Sequence, residues 1–332
     1  RQGFARSAAG NFHSLWADDL DAYAVRDGDL IRIDQRTLAQ TVLLPAVGHE
    51  PVCFARLPDG MVYWSNNSRI GRLAGIEVRD VVTPTPNPAP IAYATTGGLP
   101  PGRYQVCFTN VGPDGESPST EPLDFQLPHG GGIAITGLNG STCVYATGPD
   151  GEVFNEIAPG SYLSLGNTGA ACGTFMLGTM PAGQAIAHHL GSLLVARGRF
   201  LYISEPYRYG LLNVGRSFIP FPADITVVQP CEDGLYVCAD KTYWIPGDPL
   251  NTTPVVVLPY GALLGSAVFD RREQTAYWQG PQGVVIAKPG GQVAVPQDEA
   301  LTFASAASGA TLVREQLGDK HLITSRFDVE TI

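Results

Sequence analysis

Short apolar runs recur in pairs along the chain, each pair split by a polar or glycine-containing turn, which is the pattern of β-hairpins. Ala22 to Val25 turns at Asp27-Gly28 into Leu30 to Ile33, and Met61 to Trp64 turns at Asn66-Asn67 into Ile70 to Leu73. Leu193 to Ala196 turns at Arg197-Gly198 into Phe200 to Ile203, and Leu235 to Cys238 turns at Asp240-Lys241 into Tyr243 to Ile245. Ala276 to Trp278 turns through Gly280-Pro281-Gln282-Gly283 into Val284 to Ile286, and a fainter copy runs through His321 to Thr324.

With Tyr23, Tyr63, Leu194, Tyr236, Tyr277 and Leu322 taken as equivalent, the spacings are 40, 131, 42, 41 and 45 residues. A period in this range, built from short strands, is the repeat length of four-stranded propeller blades, and no helical period competes with it. The long gap equals one period plus about 90 residues, close to the ~100 residues of a single β-sandwich domain. The pattern therefore predicts an all-β chain: a β-propeller of about six blades over residues 1–80 and 181–332, with a β-sandwich inserted over 81–180. Ring closure is expected from a composite blade, in which the alternating run Ile323 to Val329 pairs with the N-terminal segment.

The insertion opens on Thr83-Pro84-Thr85-Pro86-Asn87-Pro88-Ala89-Pro90, an extended linker and hence a boundary. Beyond it lie the alternating run Tyr104 to Thr109, the turn Pro113-Asp114-Gly115-Glu116, the run Leu123 to Leu127, and a late strand pair around Val144 to Thr147 and Glu152 to Phe154 joined by Pro149-Asp150-Gly151. The stretch from Gly102-Arg103-Tyr104-Gln105-Val106 through Asp114-Gly115-Glu116-Ser117-Pro118 resembles the strand-turn-strand of fibronectin type III-like modules. His13-Ser14-Leu15-Trp16, Val62-Tyr63-Trp64-Ser65-Asn66 and the segment from Gly198 to Pro206 resemble parts of the propeller proteins of tailed-bacteriophage virions, found in tails, baseplates and head-to-tail connectors. That resemblance implies a non-enzymatic structural protein located in the virion. Its partners would be other virion subunits in a symmetric assembly, and the sandwich would be a projecting arm with possible host-surface contact.

Composition narrows the alternatives. Gly (39) and Pro (27) are spread without period through the chain, so they punctuate short elements. A formal charge of −10 argues against a phosphate-binding surface, so nucleic acid is not an expected partner. The most apolar region, Val255 to Phe269, is interrupted by Pro259, Gly261 and Gly265 and falls short of the ~20 residues that span a bilayer, so no membrane span is expected. Arg1 to Gly10 holds neither an initiator Met nor a signal-peptide apolar run and reads as part of a longer or processed chain. The six cysteines, Cys53, Cys107, Cys143, Cys172, Cys231 and Cys238, include no CxxC pair and read as free thiols.

Candidate chemistry is sparse. His188-His189 is the only histidine pair, and adjacent strand residues point to opposite faces, so the two do not share a metal. Asp18-Asp19 with Asp21, and Glu232-Asp233, could be imagined as paired carboxylates for glycoside hydrolysis, but both lie beside turns, where Asp serves local hydrogen bonding. No Gly-x-Ser-x-Gly elbow, P-loop or sialidase signature is present, so neither an enzyme nor a cofactor or metal site is expected. Tyr63-Trp64, Tyr243-Trp244 and Tyr277-Trp278 recur at repeat positions and read as packing between blades, with a binding rim as the alternative. Glu205-Pro206-Tyr207-Arg208-Tyr209 follows a strand, and Glu205, Tyr207, Arg208 and Tyr209 are the candidate partner-binding residues. The rival functions are a glycan-binding or glycan-cleaving propeller and a bacterial surface adhesin.

Overall fold

The computed structural model describes residues 9–166, 169–296, 306–316 and 318–327. The chain is all-β and divides into two compact units, one of Asp80–Met180 with Tyr209–Arg216 and the other of the remaining residues.

The larger unit is a series of antiparallel meanders. Sheet I orders β1 (Phe12–Ala17), β2 (Ala22–Arg26), β3 (Asp29–Ile33) and β4 (Gln40–Leu44), and sheet II orders β5 (Cys53–Arg56), β6 (Val62–Ser65), β7 (Ile70–Ala74) and β8 (Glu77–Arg79). The smaller unit intervenes in sequence with β9 (Ile91–Leu99), β10 (Gly102–Gly112), β11 (Gly115–Glu116), β12 (Leu123–Leu127), β13 (Gly131–Thr136), β14 (Thr142–Ala146), β15 (Asn155–Ile157), β16 (Ser161–Tyr162) and β17 (Leu177–Thr179). Sheet III then orders β18 (Ala185–His189), β19 (Ser192–Arg197), β20 (Phe200–Ile203) and β22 (Phe218–Pro220), with β21 (Leu211–Asn213) departing to pair with β17. Sheet IV orders β23 (Val227–Cys231), β24 (Gly234–Cys238), β25 (Thr242–Pro246) and β26 (Val255–Leu258). Sheet V orders β27 (Val268–Asp270), β28 (Thr275–Gly280), β29 (Gly283–Lys288) and β30 (Gln292–Ala294), and a hairpin of β31 (Ser308–Gln316) and β32 (Asp319–Phe327) follows.

Five of the six predicted copies are the second and third strands of a four-stranded sheet, and the sixth, His321 to Thr324, lies in β32 of the last hairpin. These middle strands are covered on both faces, so they read as continuous apolar runs: β2 is buried over Ala22, Tyr23, Ala24 and Val25, β24 over Leu235, Tyr236, Val237 and Cys238. Burying each of the larger side chains, such as Val25, Leu235 and Val237, contributes about 1.5–3 kcal/mol. Consecutive sheets share cores. Tyr23, Val25 and Leu30 of sheet I pack with Val62, Trp64 and Leu73 of sheet II. Leu194, Ala196 and Leu201 of sheet III pack with Leu235, Val237 and Ile245 of sheet IV, whose Tyr236, Cys238 and Trp244 pack with Ala276, Trp278 and Val285 of sheet V. Some first strands also meet: β5 lies against β18, β18 against β23, and β27 against β31. Sheets II and III are joined across the insertion, where the Ser65 hydroxyl donates to Gly183 O at 3.0 Å and accepts from the Gly183 N–H at 2.9 Å.

The expected composite blade of chain ends is not what the described residues form. β1 is the first strand of a complete four-stranded sheet, and β32 pairs along its length with β31, from Ser308↔Phe327 to Gln316↔Asp319. A turn through Gly318 (φ 87°) makes that local hairpin, which costs far less loop entropy than joining the ends of the chain. Asp328, Val329 and residues 1–8 lie outside the described residues.

In the smaller unit, a sheet ordered β16-β13-β9 faces one built on β12, β10, β14 and β15, with β11 at the far end of β10. Tyr104, Val106 and Phe108, alternating along β10, meet Leu99, Ile133, Ile135 and Tyr162 in one core between the sheets. The unit also takes in Tyr209–Arg216, which the repeat spacing assigns to the propeller: β21 pairs with β17 from Leu177↔Asn213 to Thr179↔Leu211, and Leu211 and Leu212 are buried.

Candidate contact surface

The segment after β20 is pinned before it is displayed. The Ser204 N–H donates to Leu193 O and its hydroxyl accepts from the Leu193 N–H, both at 2.9 Å, while the Ile203 N–H donates to Ser217 O at 2.9 Å. One residue on, the Arg208 N–H closes a turn onto Glu205 O at 3.1 Å and the Tyr207 N–H donates to Gly191 O at 2.7 Å. Tyr207 is held at φ 58°, a left-handed conformation that a bulky residue rarely adopts and that costs on the order of 1–3 kcal/mol. Its ring lies over Gly191, where a Cβ would come within 3.0 Å of it, so a glycine is required there on space as well as on its φ of 78°. The result is an aromatic ring 75% exposed, with Leu190, 58% exposed, in the adjoining turn.

The predicted contact residues divide accordingly. Tyr207 and Arg208 are exposed and Glu205 is half-buried at the base of the turn. Tyr209 is buried at 6% exposure and belongs with the smaller unit, so it is removed from the exposed face. Leu190, which sequence reasoning missed, is exposed in the tight turn (φ 45°) just before Gly191, the residue over which the Tyr207 ring lies.

The imagined catalytic carboxylates are otherwise engaged. Asp18 accepts from the backbone N–H groups of Leu20 (2.9 Å) and Asp21 (2.8 Å) and is ion-paired with Arg56, which also reaches Asp21 at 2.6 Å. Arg32 adds a second cation to Asp21 at 3.2 Å. Burial opposes ionisation of Asp18, but the Arg56 hydrogen bond, the two backbone N–H groups and the Arg56 charge outweigh it and hold its carboxyl below the usual range. This cluster ties sheet I to sheet II. Asp233 accepts from the Gly290 N–H at 3.1 Å, and the shallow cleft lined by Pro230, Cys231, Glu232, Phe269 and Gln274 carries a single carboxylate.

The histidines also serve structure: on β18, His188 lies opposite Leu193 and His189 opposite Ser192, and His189 Nε2 meets Gly247 O of the neighbouring sheet at 2.9 Å. Burial, then the neighbouring His189, lowers the pKa of His188. In the Tyr-Trp pairs, successive rings enter different cores. Trp244 packs with Tyr236 (4.6 Å between ring centroids) toward sheet V, while Tyr243 stacks edge-on with Phe221 (5.2 Å) toward sheet III. Tyr63, Trp64, Tyr277 and Trp278 are all buried, so the pairs pack sheets together and leave no aromatic rim. Among the described residues no group of three His, Cys, Asp or Glu side chains is arranged to hold a metal ion, and no helix is long and apolar enough to cross a membrane.

No protein-family model matches the chain, and no curated protein matches it. Solved structures with some likeness include a catalytically inactive variant of virginiamycin B lyase from Staphylococcus aureus with quinupristin, at 16% identity and a TM-score of 0.37 over 95% of each chain. The WD40 beta propeller domain of Doa1 is similar at 10% identity and a TM-score of 0.36, over 97% of this chain and 91% of that one. The computationally designed Ika8 protein is similar at 11% identity and a TM-score of 0.32, over 92% and 91%. Likeness at this level assigns no function.

Proposed function

We propose that the chain is a non-enzymatic structural component of a bacteriophage virion: a β-propeller of about six blades that docks to neighbouring subunits and carries a fibronectin type III-like module. The observation that carries the docking reading is Tyr207, an exposed aromatic held in an unfavourable backbone conformation by hydrogen bonds on either side. Strain of this kind persists where the surrounding structure over-determines it, and exposed Tyr is among the residues that dominate interface energies. Five four-stranded antiparallel sheets with cores shared between neighbours support the propeller, and the facing sheets of the smaller unit support the sandwich. The virion setting rests on the resemblance carried by His13 to Trp16, Val62 to Asn66 and Gly198 to Pro206.

The test is to read the genes that flank this chain's own: portal, connector or tail genes there are expected, and their products are then co-expressed with the chain and the affinity of any complex measured, whereas a neighbourhood with none of them would overturn the virion setting. Tyr207→Gly removes the ring while accepting the left-handed backbone; relief of roughly 1–2 kcal/mol of strain is offset by roughly 0.5–1 kcal/mol of added chain entropy, so the fold is expected to be kept with little change in stability. The same change is expected to weaken subunit binding by about tenfold or more. Undiminished binding by Tyr207→Gly would overturn the docking site, and hydrolysis of any member of a glycan array by the wild-type chain would overturn the non-enzymatic reading.

A further inference from the structure

Three of the six cysteines meet on the face of β10 and β14 that is turned away from the sandwich core. Strand alternation sends Tyr104, Val106 and Phe108 into that core and Cys107 the other way, and the register Cys107↔Tyr145 and Thr109↔Cys143 puts Cys143 and Tyr145 on the same outer face. Phe154 and the segment from Cys172 to Phe175 cover it. The Cys172 N–H donates to Phe154 O at 2.8 Å, and the Phe154 and Phe175 rings lie 4.2 Å apart. Cys107, Tyr145 and Phe154 form a small buried core against which Cys143, Cys172 and Phe175 pack.

The three thiols are free, Cys107 buried and Cys143 and Cys172 half-buried. Cys107 and Cys172 are hydrogen-bonded to one another, and Cys172 Sγ also lies 3.7 Å from Thr174 Oγ1. The pair is unequal. The hydrogen bond from Cys107 is the largest influence on Cys172 and, with those from Thr174, outweighs burial to bring its thiol down to about 6. The same hydrogen bond, with burial, pushes Cys107 far up. Cys143 is raised by burial and by the acidic side chains of Glu156 and Glu116. Of the two, Cys172 is the more exposed and the more readily ionised, against burial and the charge of Glu116, and Cys107 is the buried neighbour, which is the division of labour between an attacking and a resolving cysteine.

We propose that Cys107 and Cys172 are a redox-active dithiol whose substrate is a small disulfide of the glutathione class, and that its oxidation bridges the Cys172 segment to β10. The Cys172 thiolate attacks one sulfur of the small disulfide, a new S–S bond forms, and the other sulfur departs as a thiolate with the bonding electron pair. That thiolate takes the proton of Cys107. The Cys107 sulfur then attacks Cys172 Sγ, the mixed disulfide breaks, and the second small thiolate leaves to be protonated by water. Two protein thiols are oxidised and one small disulfide is reduced to two thiols.

The test equilibrates the full chain in glutathione buffers from reducing to oxidising, quenches with acid, alkylates the remaining thiols and maps the peptides by mass spectrometry. A linked peptide joining Cys107 to Cys172 is expected, and Cys143→Ser is expected to leave it unchanged. Cys107→Ser, with Cys107→Ala as a second variant in case the buried hydroxyl impairs folding, is expected to accumulate a glutathione adduct on Cys172. Alkylation of wild-type Cys172 at neutral pH is expected to run roughly tenfold faster than that of Cys143. A bridge to Cys143, a folded wild-type protein that stays unbridged in the oxidising buffer, or loss of the bridge in Cys143→Ser would each overturn the proposal.

Discussion

Arg56 shows how much one side chain can organise. It reaches Asp18 and Asp21 from a neighbouring sheet with its own side chain only 18% exposed, so Arg56→Ala would leave two carboxylates clustered without their principal cation. A loss of about 2 kcal/mol at pH 7 is expected from urea melts. The pH dependence follows from Asp18: its folded pKa is depressed, so the stability it contributes is fully present above the unfolded value of about 3.9 and is lost as pH falls through the lower folded value. The gap between wild type and Arg56→Ala is therefore expected to narrow below about pH 4, and a gap constant down to acid unfolding would show that the ion pair is not its source. The turn role of Asp18 was legible in Asp18-Asp19 preceding a strand, because such turns are local. The involvement of Arg56, 38 residues on, was not, because nothing in a local pattern marks which distant cation completes a cluster.

At the scale of the element, the last hairpin is attached by polar locks. Gln279, buried at 1% exposure, donates through Nε2 to Ala310 O (3.0 Å) and Ser325 O (2.9 Å) and accepts at Oε1 from Arg326 Nε (3.1 Å). Lys320 adds ion pairs to Asp270 and, at 2.6 Å, to Glu273. Gln279→Leu removes partners from two carbonyls and a guanidinium at once, so a loss of about 2–3 kcal/mol is expected in denaturant melts, with faster amide exchange in β31 and β32 than in sheet V. Unchanged exchange in the hairpin would show that its attachment lies elsewhere. The middle strands were readable because both their faces are buried, whereas the fourth strands, such as β26 with Val255 54% exposed, carry no comparable signal. β32, equivalent by spacing to those middle strands, is half-exposed or exposed throughout, which is why its copy of the repeat is the faintest. The meeting of Cys107 with Cys172 was unreadable for a related reason: Cys172 lies in a loop, where no period fixes which way a side chain points.

For the molecule as a whole, the 131-residue gap in an otherwise even series is what pointed to an insertion over 81–180, but the spacing could not show that Leu211 and Leu212 group with Asp80–Met180. An apolar pair reads alike whichever sheet it joins. Excising residues 84–178 alone therefore removes most of β17 and strips β21 of its partner, and aggregation or a broadened calorimetric transition is expected. Replacing residues 209–216 by a short linker as well should restore one cooperative transition, and equal behaviour of the two deletions would count against this division. The meander order of the five sheets also governs how the protein would bear a load. Except in sheet III, where β21 leaves between β20 and β22, successive strands are neighbours both along the chain and in the ladder, so tension applied along the chain peels strands off one at a time instead of shearing a whole ladder at once. Stretched in an optical trap, the larger unit should give way in low-force steps, none releasing more than one repeat of 40–45 residues, roughly 140 Å of extended chain.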